Sequence, residues 1–156
     1  MGGATIPDLI RVCSSWTRDL DIDSISILVG TNDIASPHGI LDICHMYLGL
    51  IDLLSYRFPR ASITCLSVLP RLDRPELAPR IIRFNQTMRG VIDDYFGSNG
   101  EMCVGWLDCF DDFLEHCGCC VNRSLFGRGM LHPSALGKRH LVNIFKYLLS
   151  PYNRAS

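Results

Sequence analysis

The chain has 156 residues, 47% of them hydrophobic and 20% charged, with a formal net charge of −1. That size suits one domain built on a single core, and the composition excludes a disordered chain. Near-neutral charge gives no general attraction to nucleic acid or acidic lipid, and no apolar run approaches the ~18 residues of a membrane helix.

Ile6, Leu9, Ile10, Cys13, Trp16 and Leu20 recur at helical spacing. This predicts a helix over residues 6–20, with Thr5 as N-cap and Pro7 and Asp8 in its first turn, where proline is tolerated and negative charge is favoured. A short strand is expected at 25–29, apolar enough to be buried on all sides. Leu41, Cys44, Leu48, Ile51, Leu54 and Phe58 mark the inner face of a second helix, stopped by Pro59. The next strand, at 63–69, ends at Pro70. Leu77, Ile81, Phe84, Met88, Ile92 and Tyr95 step through a third helix closed by Gly97. A third strand is expected at 102–107, with Asp108 just past its end. Residues 109–128 lack periodicity and leave room for one short helix and a long loop. Ser134 is positioned to cap a last helix whose inner face carries Leu136, Leu141, Ile144 and Leu148.

The order α-β-α-β-α-β-loop-α implies a parallel sheet with helices on both faces, and a single domain accounts for residues 1–156. A strand as apolar as 25–29 makes a hazardous open edge. We therefore expect its neighbouring strand to be missing from the chain, and a partner or upstream segment to cover that edge. The N-terminus has neither the basic start nor the apolar stretch of a signal peptide, and Ile6 stands where a myristoylation pattern needs Ser or Thr. The expected location is cytoplasmic, with no membrane partner. Arg71, Arg74, Arg80 and Arg83 lie close together and read as a solvated helix face with its leading loop, rather than as a nucleic-acid patch.

Of eight cysteines, Cys13, Cys44, Cys65 and Cys103 sit in apolar patterns and read as small buried hydrophobes. Cys109, Cys117, Cys119 and Cys120 cluster, and Cys117 with Cys120 has C-x2-C spacing. A structural zinc site needs further ligands at comparable geometry. His116 and Cys109 are candidates, but there is no second C-x2-C pair. No metal is assigned, and the segment reads as free or disulfide-bonded thiols.

Four features fall at the carboxyl ends of the expected strands, where open α/β sheets bind ligands. They are Gly2-Gly3 before the first helix, Gly30-Thr31-Asn32-Asp33 after the first strand, Pro70-Arg71 after the second, and His132-Pro133-Ser134 late in the chain. Each has a plain reading alone: Asn32 and Asp33 as turn residues capping the next helix, His132 as a surface histidine, Gly2-Gly3 as a flexible end. In this order they resemble the SGNH (GDSL-type) hydrolases, a family of flavodoxin-like esterases and lipases. Gly2 to Thr5 is similar to the family's second block, Gly30 to Asp33 to its third, and Leu125-Phe126 through His132-Pro133-Ser134 and Gly137 to its last.

The resemblance implies a three-layer α/β/α flavodoxin-like fold with a parallel sheet, truncated at its N-terminal edge. The complete strand order would be 2-1-3-4-5, with strands 3, 4 and 5 in this chain. It implies Gly3 N–H and the Asn32 side chain as oxyanion donors, Gly30 and Asp33 at the site edge, and His132 as the catalytic base. The substrate it implies is a small carboxylic ester, with no cofactor. Two departures bear on activity. No Gly-Asp-Ser occurs in the sequence, and the aspartate that the family places three residues before its histidine is Gly129 here. A backbone carbonyl is the alternative orienting group for His132. Loss of a catalytic serine costs on the order of a millionfold in kcat in the well-studied protease case. The resemblance thus implies either a hydrolase domain without its nucleophile block or a catalytically dead binding module. The Leu69-Pro70-Arg71 step links the second reading to esterase-like domains that accompany animal retroelements. A flavodoxin-like cofactor binder finds no Gly-rich phosphate loop after a strand.

Overall fold

Thr5 begins the first helix by satisfying two backbone groups at once. In a computed structural model, which describes residues 3–16, 21–96 and 103–148, Thr5 and Asp8 form a reciprocal capping box at the start of α1 (Ile6–Ser14). The helix stops well short of the expected residue 20. The Ser14 and Ser15 hydroxyls donate to the carbonyls of Ile10 and Val12, both at 2.7 Å, and such local bonds compete with helix continuation. Trp16 lies past the end, and Leu20 falls outside the described residues.

The chain divides into two compact units, Met1–Val68 with Leu77–Asp108, and Leu69–Glu76 with Cys109–Ser156. The first holds a parallel three-stranded sheet in the order β1 (Ser24–Ile27), β2 (Ser62–Leu66), β3 (Val104–Leu107). Ile25 pairs with Ile63 and Ile63 with Val104; Ile27 pairs with Cys65 and Cys65 with Trp106. Side chains alternate across a strand, so this register makes one face apolar and leaves Ser24, Ser26, Ser62, Thr64 and Gly105 on the other. The connections β1–β2 and β2–β3 run through α3 (Ile40–Arg57) and α4 (Ala78–Tyr95). Right-handed crossovers advancing in one direction put both helices on one face, and α1 packs against α3. Fully buried Tyr47 of α3 donates its hydroxyl to Ile27 O at 3.5 Å and meets Phe84 of α4 edge-on, with ring centroids 5.8 Å apart.

Three details depart from the expected elements. The first strand is not buried on all sides: it is the sheet edge, with Ser24 and Ser26 exposed, Ile25 half-buried and Leu28 45% exposed. The Ser-Ile-Ser-Ile alternation is the period-two signature of a half-covered strand. The second strand ends at Leu66 rather than residue 69, because Asn85 takes over the backbone of Val68. The buried Asn85 side chain accepts Val68 N–H at 2.9 Å and donates to Val68 O at 3.0 Å. The buried stripe of α3 is also rotated. It runs through Ile40, Ile43, Cys44, Tyr47, Leu50, Ile51 and Leu54, while Leu41 is 63% exposed. In α4 the expected stripe is kept, with Leu77 just before it and Ile81, Phe84, Met88 and Ile92 buried; the Tyr95 side chain and Gly97 fall outside the described residues.

The second unit replaces the expected short helix and long loop with two 3-10 turns, Asp111–Phe113 and Arg123–Leu125. An isolated antiparallel bridge, Leu114 to Val121, lies between them. Phe113 and Phe126 meet edge-on at 5.5 Å, and His140 lies 5.8 Å from Phe113. Ser134 caps α5 (Ala135–Leu148) as expected, accepting Gly137 N–H at 3.1 Å. On α5, Leu141 and Ile144 are half-buried, but Leu136 is 47% exposed. Gly137 is required by contact: a Cβ there would stand 2.1 Å from Leu125 O. Among the described residues, no helix is long and apolar enough to cross a membrane.

Candidate oxyanion site and the histidine loop

The Gly30 turn explains why the first strand ends in short side chains. Gly30 has φ +113°, and a Cβ on it would come within 3.3 Å of Val68 Cγ2. Glycine meets both demands, because it accepts a positive φ and leaves room for the neighbouring chain. It opens α2 (Thr31–Ile34), a single turn that the sequence did not announce.

From α2, two side chains reach back to the loop before α1. Asn32 Nδ2 donates to Ala4 O at 2.9 Å, and both carboxylate oxygens of Asp33 lie 3.1 Å from Ile6 N–H. The reading of Asn32 and Asp33 as caps of the next helix is corrected: their partners lie 28 and 27 residues earlier. Ile6 is the first residue of α1, whose opening N–H groups have no acceptor within the helix. Asp33 supplies one from a position that is 3% exposed. Burial pushes the Asp33 carboxyl above its ordinary range, against the opposing pull of the Ile6 N–H.

The loop held this way carries Gly3, exposed, with φ +85°. Its N–H makes no hydrogen bond among the described residues. Asn32 is half-buried and uses one of its two amide hydrogens on Ala4. Two N–H donors therefore remain for a ligand oxygen. Gly2 falls outside the described residues.

Arg80 reinforces the same turn. Its guanidinium donates to the carbonyls of Ile34 at 3.0 Å, Ser36 at 3.4 Å and His38 at 2.7 Å. Of the expected solvated arginines, Arg74 and Arg83 are exposed, whereas Arg80 is a structural clasp. In the second unit, Arg71 is 8% exposed and bidentate to Asp73, at 3.0 and 2.6 Å. That hydrogen bond holds the Asp73 carboxyl below its ordinary range.

His132 belongs to the second unit. Its loop is closed by backbone bonds: Gly127 N–H to His132 O at 2.9 Å, Met130 N–H to Gly127 O at 2.9 Å, and Leu72 N–H to Met130 O at 3.0 Å. Met130 adopts φ +53° within it. The backbone is thus well tied, yet the imidazole is exposed, with no hydrogen bond or ion pair among the described residues. No backbone carbonyl there orients it. Nothing lies within 4 Å of a Cβ placed on Gly129, so the position of the missing aspartate is open. The structure brings Gly3, Gly30, Asn32 and Asp33 together in the first unit and places His132 in the second.

None of the eight cysteines forms a disulfide. Cys13, Cys44 and Cys65 are buried as expected, and burial pushes the Cys44 thiol up to about 11 and Cys65 to about 12. Cys103 is exposed, contrary to expectation. Cys109 is fully buried, and so separates from the exposed group Cys117, Cys119 and Cys120. Hydrogen bonds from the Cys119 backbone and side chain and the Cys120 backbone lower the Cys117 thiol to about 7, while its two thiol neighbours raise Cys119 to about 11. A cavity of about 300 Å³, lined by Ile22, Tyr56, Arg57 and Phe58 among others, lies in the first unit where β1 and β2 begin, at the strand ends opposite the Gly30 turn. Sequence reasoning missed Asn85 and misread Arg80 as solvated. The available signal was a polar Asn beside Phe84 on an otherwise apolar helix face.

No protein-family model matches the chain, and no curated protein matches it. Solved structures do. A Streptococcus pneumonia protein provisionally described as a platelet activating factor superposes with a TM-score of 0.78 at 21% identity, over 95% of this chain and 69% of its own. The OSK domain of Drosophila Oskar gives 0.73 at 17% identity, over 95% and 71%. A GDSL-like lipase from Bacteroides thetaiotaomicron gives 0.69 at 16%, over 93% and 70%. Likeness at this level of identity concerns the fold: the chain has the α/β fold of the SGNH (GDSL-type) hydrolases.

Proposed function

We propose that this chain is an SGNH-type ester hydrolase domain that retains the oxyanion donors of the reaction and not its nucleophile. The observation that carries this reading is the double anchor of Asn32 on Ala4 and Asp33 on Ile6, which fixes the loop of Gly3 while, among the described residues, an amide hydrogen of Asn32 and the Gly3 N–H stay unused. Acyl transfer places negative charge on the substrate's carbonyl oxygen, and each fixed donor aimed at it is worth about 3–4 kcal/mol of barrier. Gly30 shapes the turn and Asp33 holds the loop. His132 has the role of the proton carrier, taking a proton from a serine hydroxyl and returning it to the leaving alcohol. The sequence holds no Gly-Asp-Ser, so that serine is not supplied by these residues. The open side of β1 takes a strand from a partner or an upstream segment in the same reading.

Hydrolysis of para-nitrophenyl acetate by the 156-residue chain is expected at buffer level, with His132→Ala making no difference. Turnover abolished by His132→Ala overturns the claim that the nucleophile is lacking. Acetate titrated into the chain and followed by amide NMR is expected to shift the Gly3 N–H and Asn32 side-chain resonances, with Asn32→Ala removing the Gly3 response. Silence at both positions overturns the oxyanion reading.

A second reading is favoured by Gly129 and by an imidazole with no partner among the described residues: a domain of hydrolase fold kept for binding alone. The coding sequence upstream of Met1 separates the two. A Gly-Asp-Ser after an apolar strand supports the hydrolase, and its absence supports the binding module.

A further inference from the structure

We propose that Cys117, Cys119 and Cys120 form a binding site for a single thiophilic d10 cation, with Zn²⁺ as its representative. The three Sγ atoms lie within 4.8 Å of one another, at 3.2 Å for Cys117 to Cys119 and 3.8 Å for Cys119 to Cys120. Zinc–sulfur bonds of about 2.3 Å in tetrahedral geometry place neighbouring sulfurs roughly 3.8 Å apart. The Cys119–Cys120 pair already has that spacing, and the Cys117–Cys119 pair, at 3.2 Å, opens by about 0.6 Å to reach it.

The loop is built to present these thiols together. The Leu114–Val121 bridge closes its base. Glu115 N–H donates to Cys120 O at 2.7 Å, and Gly118 N–H to Glu115 O at 2.8 Å. Gly118, at φ +68°, permits the reversal between Cys117 and Cys119. The Cys119 thiol already lies against the Cys117 sulfur at 3.2 Å, so the turn holds two of the ligand atoms together before any ion binds.

Soft thiolate sets select Zn²⁺, Cu⁺ and similar ions over Mg²⁺ or Ca²⁺. Three protein ligands leave a fourth position, which water fills. Each thiol binds as the thiolate, so loading one ion releases protons to solvent and involves no oxidation. The exposure of all three thiols lets the ion enter without opening the core. The sequence alone suggested Cys109 and His116 as companions of a C-x2-C pair; the structure withdraws Cys109 into the core and supplies Cys119 instead.

The test uses the full chain, reduced and exchanged into metal-free buffer, with one equivalent of Zn²⁺ added. Native mass spectrometry is expected to show one ion per chain, and competition against a chromophoric chelator to show at least tenfold weaker binding in Cys117→Ser/Cys119→Ser. Cys103→Ser is expected to bind as the parent does. Co²⁺ substitution is expected to give thiolate-to-cobalt charge-transfer absorption that the double variant lacks. Equal Zn²⁺ affinity in the parent and the double variant overturns the proposal. So does a reduced parent chain that binds no ion. Thermal unfolding of the double variant without metal, expected to match the parent, shows that lost binding is not lost folding.

Discussion

The Gly3–Asp33 region and the His132 loop are both anchored through their backbones, but only one has its functional side chains fixed. In the first, Asn32 and Asp33 are each engaged by a main-chain partner across 28 and 27 residues of sequence, and Gly30 is wedged against Val68. In the second, three backbone bonds tie residues 127–132, while the imidazole itself points to no described partner. Stabilising a developing charge needs preorganised donors, and proton transfer needs an oriented base. On the proposed reading, this chain keeps the first condition and leaves the second unmet.

The comparison breaks most visibly where packing admits no substitution. Gly137→Ala drives a Cβ into Leu125 O beside the histidine loop, and is expected to cost about 3 kcal/mol or more. Urea unfolding measures it, and a loss under 1 kcal/mol would show that α5 can slide. Asp33→Ala removes the buried acceptor of Ile6 N–H and is expected to cost about 2 kcal/mol; Asp33→Asn, which retains an acceptor oxygen, should cost less than half of that.

Asp33 also makes a pH prediction. Its folded carboxyl titrates above the ordinary value of 3.8, so in the window just above that value the folded state holds more protons than the unfolded one. This group's contribution to stability therefore falls as pH rises through the window and improves on acidification. Asp33→Asn should flatten that part of the stability–pH curve, and an unchanged slope would assign it to another group. Asn32→Ala follows at about 1 kcal/mol, with loss of the acetate response. The smallest effects belong to the histidine loop. His132→Ala and Gly129→Asp are each expected to shift stability by less than about 0.5 kcal/mol, since one removes an unpartnered ring and the other fills open space. A larger loss from His132→Ala would mean that the ring is held after all.

Long helices with a single apolar stripe were legible from sequence, as the buried series Ile81, Phe84, Met88, Ile92 in α4 shows. In α3 apolar residues occupy more than one face, so spacing could not tell that Leu41 faces water and Ile40 does not. Strand limits depended on Asn85, whose amide pairs with Val68 17 residues away. The candidate site was legible as residue types at strand ends. Its wiring was not, because hydrogen bonds from Asn32 and Asp33 to Ala4 and Ile6 have no periodic signature.

By itself, the sequence determined the alternation of helices and strands, the parallel sheet they imply, the Thr5 and Ser134 caps, and the absence of a Gly-Asp-Ser. These follow from local propensity, periodicity and composition, which act over a few residues. Only the tertiary structure decided that β1 is an edge, that Asp33 caps a helix lying before it in the chain, that Cys109 leaves the thiol cluster, and that Cys117, Cys119 and Cys120 converge. Each of those depends on which distant groups the folded chain brings within bonding distance.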